Sequence, residues 1–309
     1  MRSVRPLLAG VFPVLATPFH ADGSPDESGL AAIARYLIGA GVDGVVFPGV
    51  ASEYETLTPD ERARLSDLVA KEARGRVAFV VGGTAAEMAT TEAIARRALA
   101  QDAAAIMVMA PKALTEAAAV IAFFQRVAAA AGDVPIMLQN APPPAGSGLP
   151  VDLVVAVARS VPQIKYIKEE AMPSGARITQ TLANAPETLH GVFGGAGGRY
   201  ITDELARGAV GTMPACELAE MHVALLQAHR AGDRAGVRRL FNRMLPLLNF
   251  QAVFRMAMTK ETLRRRGIIA HAGKRAAGPE LDAGDRRELS ELLTEVSDLL
   301  QPPVRDDHG

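Results

Sequence analysis

The chain contains no tryptophan, a single cysteine and few aromatic residues, 5% in all. With Cys216 alone, neither an intrachain disulfide framework nor a zinc site built on cysteines can form, and the expected setting is reducing and cytoplasmic. Nowhere does an apolar run approach the roughly 18 uninterrupted residues of a membrane span. An excess of either charge is missing too. With 33 cations against 34 anions, neither a nucleic acid nor a membrane surface is an expected partner. Several catalytic signatures are also absent. The six histidines show no H-E-x-x-H or other metal-ligand spacing, no G-x-S-x-G elbow occurs around Ser52, and no dinucleotide or P-loop fingerprint follows the first strand.

What is present is an ample supply of core. With 309 residues and 49% of them hydrophobic, the chain can build one large domain or two ordinary ones. Met1 to Phe19 sets Arg2 and Arg5 ahead of the apolar Leu7 to Ala16, the outline of a secretory signal. Pro6, Pro13 and Pro18 interrupt that outline, and the segment reads as a buried strand.

Eight short apolar runs predict strands: Val11–Phe19, Gly44–Pro48, Val77–Gly82, Ala105–Met109, Pro135–Gln139, Ile164–Lys168, Thr188–Phe193 and Val210–Met213. Ala-rich segments between them predict helices, and the mean spacing of about 29 residues is that of a βα unit. Eight such units predict an α/β fold, a (β/α)8 TIM barrel over residues 1–230, with residues 231–309 as a C-terminal helical extension packed on it. In the extension, helical segments near 232–267 and 282–300 flank the stretch His271–Pro279, and Pro302 to Gly309 is expected to fray. Thr58-Pro59-Asp60-Glu61 carries an N-cap, a proline at the first helical position and a capping-box glutamate. That signal fixes Gly49–Leu57 as a strand-to-helix loop on the rim where such barrels hold their active sites.

Lysine is scarce, six residues in all, and two of the six fall in one strand. A period of two puts Ile164, Tyr166 and Lys168 on one face and Lys165 on the other. At the mouth of a barrel an ammonium is poorly solvated, which favours the neutral, nucleophilic amine and opens Schiff-base chemistry. Spacing alone leaves a second reading open, in which Lys168 reaches solvent or pairs with Glu169 or Glu170. Ser52 and Glu53 are equally ambiguous between loop surface and general acid-base work. Gly194-Gly195-Ala196-Gly197-Gly198, after the seventh strand, suits backbone anion binding or merely a permissive turn.

Taken together, four segments resemble the dihydrodipicolinate synthase / N-acetylneuraminate lyase family. They are G-V-F-P-V-L-A-T-P-F from Gly10, S-E-Y-E-T-L-T-P-D-E-R from Ser52, P-I-M-L-Q-N-A-P from Pro135 and Y-I-K-E-E around Lys168. The resemblance runs from Gly10 to about Leu300 and implies a barrel with a helical extension, assembled as a homo-oligomer, dimer or tetramer. It also implies an imine between the strand-six lysine, here Lys168, and a small-molecule 2-oxo acid, with no cofactor because the amine is the electron sink. The departures are informative. Val50, Ala51 and Ser52 replace the family's T-T-G, Gln139 replaces its catalytic tyrosine, and Pro144 stands in place of the synthases' carboxylate-binding arginine. Glutamine does not titrate. The altered pattern, together with Leu245–Asn249, resembles a branch that dehydrates 2-keto-3-deoxy sugar acids, although Asn140 and Lys112-Ala113 differ from it.

On that resemblance the expected catalytic residues are Lys168, Glu53 as proton donor and Ser52. Expected substrate contacts come from Val50, Ala51, Gln139, Asn140, Gly194 and Gly195, with no metal. Two further readings stand beside dehydration: retro-aldol cleavage to pyruvate and an aldehyde, and a noncatalytic 2-oxo-acid-binding protein on the same scaffold.

Overall fold

Each apolar run that ends in a turn is followed by a helix long enough to carry the chain back, so successive strands lie parallel. The computed structural model describes residues 7–301. Within them the elements run β1 (Gly10–Val11), α1 (Glu27–Gly39), β2 (Gly44–Phe47), α2 (Pro59–Ala73), β3 (Ala78–Gly82), α3 (Met88–Ala98), β4 (Ala105–Val108) and α4 (Ala117–Ala131). They continue with β5 (Ile136–Asn140), α5 (Val151–Ser160), β6 (Ile164–Glu169), α6 (Ser174–Asn184), β7 (Gly191–Gly194), α7 (Ile201–Ala206), β8 (Gly211–Thr212) and α8 (Ala219–Arg230). Then follow α9 (Arg234–Phe254), α10 (Met256–Arg265) and α11 (Ala283–Thr294).

All the strand pairs are parallel, from β2 through β8 to β1. Closure comes from a bridge between Val14 and Val46 just beyond β1, so the sheet is a TIM barrel. The expected first strand, Val11–Phe19, is buried throughout, but only Gly10–Val11 joins the ladder. Pro13 and Pro18 have no N–H to give to a neighbouring strand. Residues 1–6 of the N-terminal reading and the expected fraying of 302–309 lie outside the described residues.

The barrel interior is filled, not hollow: Phe12, Val14, Val46, Val80, Met107, Met137, Tyr166, Phe193 and Met213 pack there. Phe12 and Phe193 meet edge to face at 5.3 Å, and the Tyr166 hydroxyl accepts from the Leu8 N–H at the lower end. Ile136, Leu138 and Ile167 face outward onto the helices.

One expectation about β6 is corrected. Ile164 belongs to the outer cluster and Tyr166 to the inner one. The ladder with β5 slips between Ile136 and Met137, so Lys165 is an extra residue and the alternation restarts at Tyr166. From Tyr166 onward the period of two holds. Lys168 and Glu170 therefore share the interior side at the upper end of the strand.

The predicted capping box is formed. Thr58 accepts from the Glu61 N–H, Glu61 accepts from the Thr58 N–H, and Pro59 opens α2. The long helical segment near 232–267 breaks at Arg255, whose backbone lies at φ 48°, ψ −120° between α9 and α10. Among the described residues no helix is long and apolar enough to cross a membrane.

Candidate active site

β6 lifts Lys168 to the upper rim, where it is 4% exposed. Its ammonium does not stand in an apolar mouth, as burial alone would suggest. Nζ lies 3.3 Å from Oε2 of Glu170. Glu170 is fixed in turn: Gln139 Nε2 donates to Oε2 at 2.7 Å and the Ala196 N–H donates to Oε1 at 3.0 Å. Burial acts to raise the Glu170 pKa, but the Lys168 charge and these donors outweigh it and hold the carboxyl below its ordinary value. Lysine and carboxylate both line a cavity of about 130 Å³ with Val50, Ala51, Gly197, Arg199, Met213 and Arg255.

These residues come from the ends of β6, β7 and β8, the loop after β2 and the α9–α10 break, all at the carboxyl ends of the strands. A second cavity of about 450 Å³ shares Val50, Arg255 and Met256 with the first and is also lined by Lys112 and Pro144. The loop after β2 forms two consecutive 3₁₀ turns, Val50–Ser52 and Tyr54–Thr56. In the first of them the N–H groups of Val50 and Ala51 have no hydrogen-bond partner among the described residues, which leaves two donors at the cavity wall.

Several sequence candidates do other work. Ser52 is fully buried; its hydroxyl donates to the Leu15 carbonyl and accepts from the Gly49 N–H, so it shapes the loop. Glu53 lies at positive φ between the two turns, and its carboxylate is taken up away from Lys168. It pairs with the fully buried Lys260 ammonium and accepts from the N–H groups of Arg275, at 2.8 Å, and Ala276, at 2.6 Å. Three donors thus engage the carboxylate expected as proton donor, and Glu53 does not line the Lys168 cavity.

Lys260 also faces the Phe19 ring at 4.2 Å, while Arg275 reaches on to Glu61 and holds that carboxyl down at about 2. The C-terminal segment thus clamps the loop that carries Val50 and Ala51.

Asn140, an expected substrate contact, is engaged by protein groups. It pairs in register with Glu169, not Lys168, and its amide bonds both the N–H and the carbonyl of Leu149 and the Glu169 carboxylate. That lock closes the loop between β5 and α5. Gly194 and Gly195 do not line the cavity; they make room for carboxylates. A Cβ at Gly194 would stand 1.9 Å from Glu204 Oε2, and one at Gly195 would stand 2.5 Å from Glu170 Cγ. The lining falls to Ala196 and Gly197 instead.

Of the charged residues in the cavity, sequence reading gave Glu170 only as an alternative partner of Lys168 and did not anticipate Arg199 or Arg255. Glu170 was detectable, because a period of two places it on the face of Lys168. Nothing in the sequence marked the helix break that presents Arg255. Among the described residues no three His, Cys, Asp or Glu side chains gather as a metal would require.

Comparison with known proteins matches residues 7–296 to the dihydrodipicolinate synthetase family. L-2-keto-3-deoxyarabonate dehydratase of Azospirillum brasilense is 28% identical over 305 residues, covering 96% of this chain and 97% of the relative. A 4-hydroxy-tetrahydrodipicolinate synthase of Acidobacterium capsulatum is 30% identical over 96% of this chain and 98% of its own. Among solved structures, dihydrodipicolinate synthase from Rhodopseudomonas palustris superimposes with a TM-score of 0.88 at 25% identity, over 94% of this chain and 99% of that one. N-acetylneuraminate lyase of Proteus mirabilis shares the fold, with a TM-score of 0.84 at 21% identity over 96% and 100% of the two chains.

Proposed function

The chain belongs to the dihydrodipicolinate synthetase family of class I lyases, which act on 2-oxo acids through a Schiff base, and from that premise we propose that it dehydrates a 2-keto-3-deoxy sugar acid. One observation carries this reading: the cavity pairs Lys168 with a carboxylate, Glu170, which Gln139 holds by a hydrogen bond from the strand position where the family has a tyrosine. A carboxylate beside the amine serves proton removal at carbon, while the glutamine only orients it.

In this reading Glu170 takes the ammonium proton, and the freed Lys168 amine adds to the C2 ketone. Protonated Glu170 returns its proton to the carbinolamine hydroxyl, which leaves as water and gives the protonated imine with an acidic C3 hydrogen, and Glu170 is again a carboxylate. Glu170 removes the C3 proton, the enamine expels the C4 hydroxyl, and protonated Glu170 supplies the proton with which it leaves as water. Hydrolysis of the unsaturated imine consumes one water and frees Lys168, so the net change is loss of one water. The Val50 and Ala51 N–H groups hold the C1 carboxylate. The proposal includes homo-oligomeric assembly, as family members typically form oligomers.

Borohydride reduction with pyruvate, followed by peptide mapping, tests the imine, and a stable adduct on Lys168 is the expected result. Turnover of a 2-keto-3-deoxy acid then decides between reactions. A product one water lighter supports dehydration, pyruvate plus an aldehyde rejects it for retro-aldol cleavage, and no turnover of any such acid leaves only binding.

A further inference from the structure

The charges around the Lys168 cavity do not balance for a singly charged substrate. Its lining holds three cations, Lys168, Arg199 and Arg255, and one anion, Glu170. Lys168 and Glu170 neutralise each other. Neither Arg199 nor Arg255 has a carboxylate or other hydrogen-bond partner for its side chain among the described residues, whereas nearby guanidinium groups at the top of the barrel do: Arg177 pairs with Glu169 and Arg275 with Glu61. Both residues therefore line the cavity without an ion-pair partner among the described residues, Arg199 half-buried and Arg255 exposed at its mouth.

Their placement is specific. Arg199 Nη1 and Gln251 Oε1 each lie 3.3 Å from the position a Cβ would take on Gly197, so both side chains converge over that notch in the cavity wall. Arg255 lines the inner cavity and the larger outer one alike, and it stands at the junction of α9 and α10 in a backbone conformation that side-chain-bearing residues rarely adopt. An inner volume of about 130 Å³ accommodates about four waters. Lys168, Arg199 and Arg255 line this one volume, so a substrate bonded to the lysine there has both arginines in the same chamber.

Resting on the imine reading above, we infer that the substrate is a dianion: a 2-keto-3-deoxy acid whose distal end carries a second anionic group, a carboxylate or a phosphate ester, held by Arg199 and Arg255. The loop donors at Val50 and Ala51 take one charge and the guanidinium groups the other. Guanidinium forks suit either oxyanion, because both offer two coplanar acceptors.

The test uses the full chain and three 2-keto-3-deoxy acids of matched length, ending in a hydroxymethyl group, a carboxylate or a phosphate ester. Pyruvate with borohydride runs alongside. The expected result is labelling of Lys168 by pyruvate and a kcat/KM for one of the dianions about 10- to 100-fold above that of the neutral-ended acid. The faster dianion identifies the group. Arg199→Gln and Arg255→Gln each reduce that preference, the double variant abolishes it, and Arg255→Lys retains part of it. If pyruvate labels Lys168 but the neutral-ended acid reacts as fast as the dianions, or the preference survives in the double variant, the inference is overturned while the imine reading stands. Failure of pyruvate to label Lys168 overturns both.

Discussion

An amine 3.3 Å from a carboxylate that is itself anchored by a glutamine and a backbone N–H is a proton-transfer pair with little freedom to rearrange. The two members do separable jobs, and that separation is measurable. Glu170→Gln is expected to slow trapping of pyruvate on Lys168, since the amine loses the base that frees it, and to lower kcat for dehydration further, by about 10²- to 10⁴-fold, the usual contribution of a positioned acid-base group. Single-turnover reduction followed beside steady-state kinetics checks this; equal losses in both would make Glu170 a mere support for the lysine. At this scale the sequence was legible where side chains alternate and illegible where a hydrogen bond redirects them. The face of Lys168 followed from a period of two, apart from the slip at Lys165. Ser52 and Asn140 carry groups that chemistry could use, but local backbone partners engage them, and no spacing announces such partners.

Between residue and molecule stands the loop after β2, whose far end the Thr58 capping box marked in the sequence. Its anchor was not visible there, because Arg275 lies 222 residues from Glu53 along the chain. Lys260 and Glu53 are both buried and bonded only to each other and to neighbouring protein groups, so removing one strands the other. Lys260→Met is expected to destabilise the fold by about 3–5 kcal/mol in urea titrations, with KM rising as Val50 and Ala51 lose their support. Adding Glu53→Gln to that variant is expected to cost much less than the sum of the two single changes, because the stranded charge is gone. Additive losses would mean that the ion pair is not what holds the loop.

Across the whole molecule, the strand-helix alternation and its closure into an eight-unit barrel were readable from spacing, while the seam itself was not: the N–H groups of Asp43, Val46 and Leu15 donate across it to Val11, Pro13 and Val46. Behind β7 sits Glu204, 1% exposed, bonded by the Ser174 hydroxyl. Burial, with the charges of Glu170, Asp203 and Glu169, pushes its pKa up to about 7. Since the folded chain holds this proton more tightly than the unfolded one, Glu204 favours folding at low pH and loses that contribution as pH rises from about 4.5 to about 7. Glu204→Gln has no such proton to lose. Its Tm relative to the parent is therefore expected to climb across that window and level off above it, as differential scanning calorimetry at a series of pH values would show; a constant offset would mean that Glu204 does not titrate there.

The clamp formed by Lys260, Arg275 and Ala276 also sets an order of events during synthesis. All eight strands leave the ribosome before Lys260 and Arg275 do, so a nascent chain can close its sheet while the turn bearing Val50 still lacks its fastening. The reaction chamber is thus the last part of the protein to mature, and a premature stop codon shortly after α8 would yield a product with every strand in place and no working pocket.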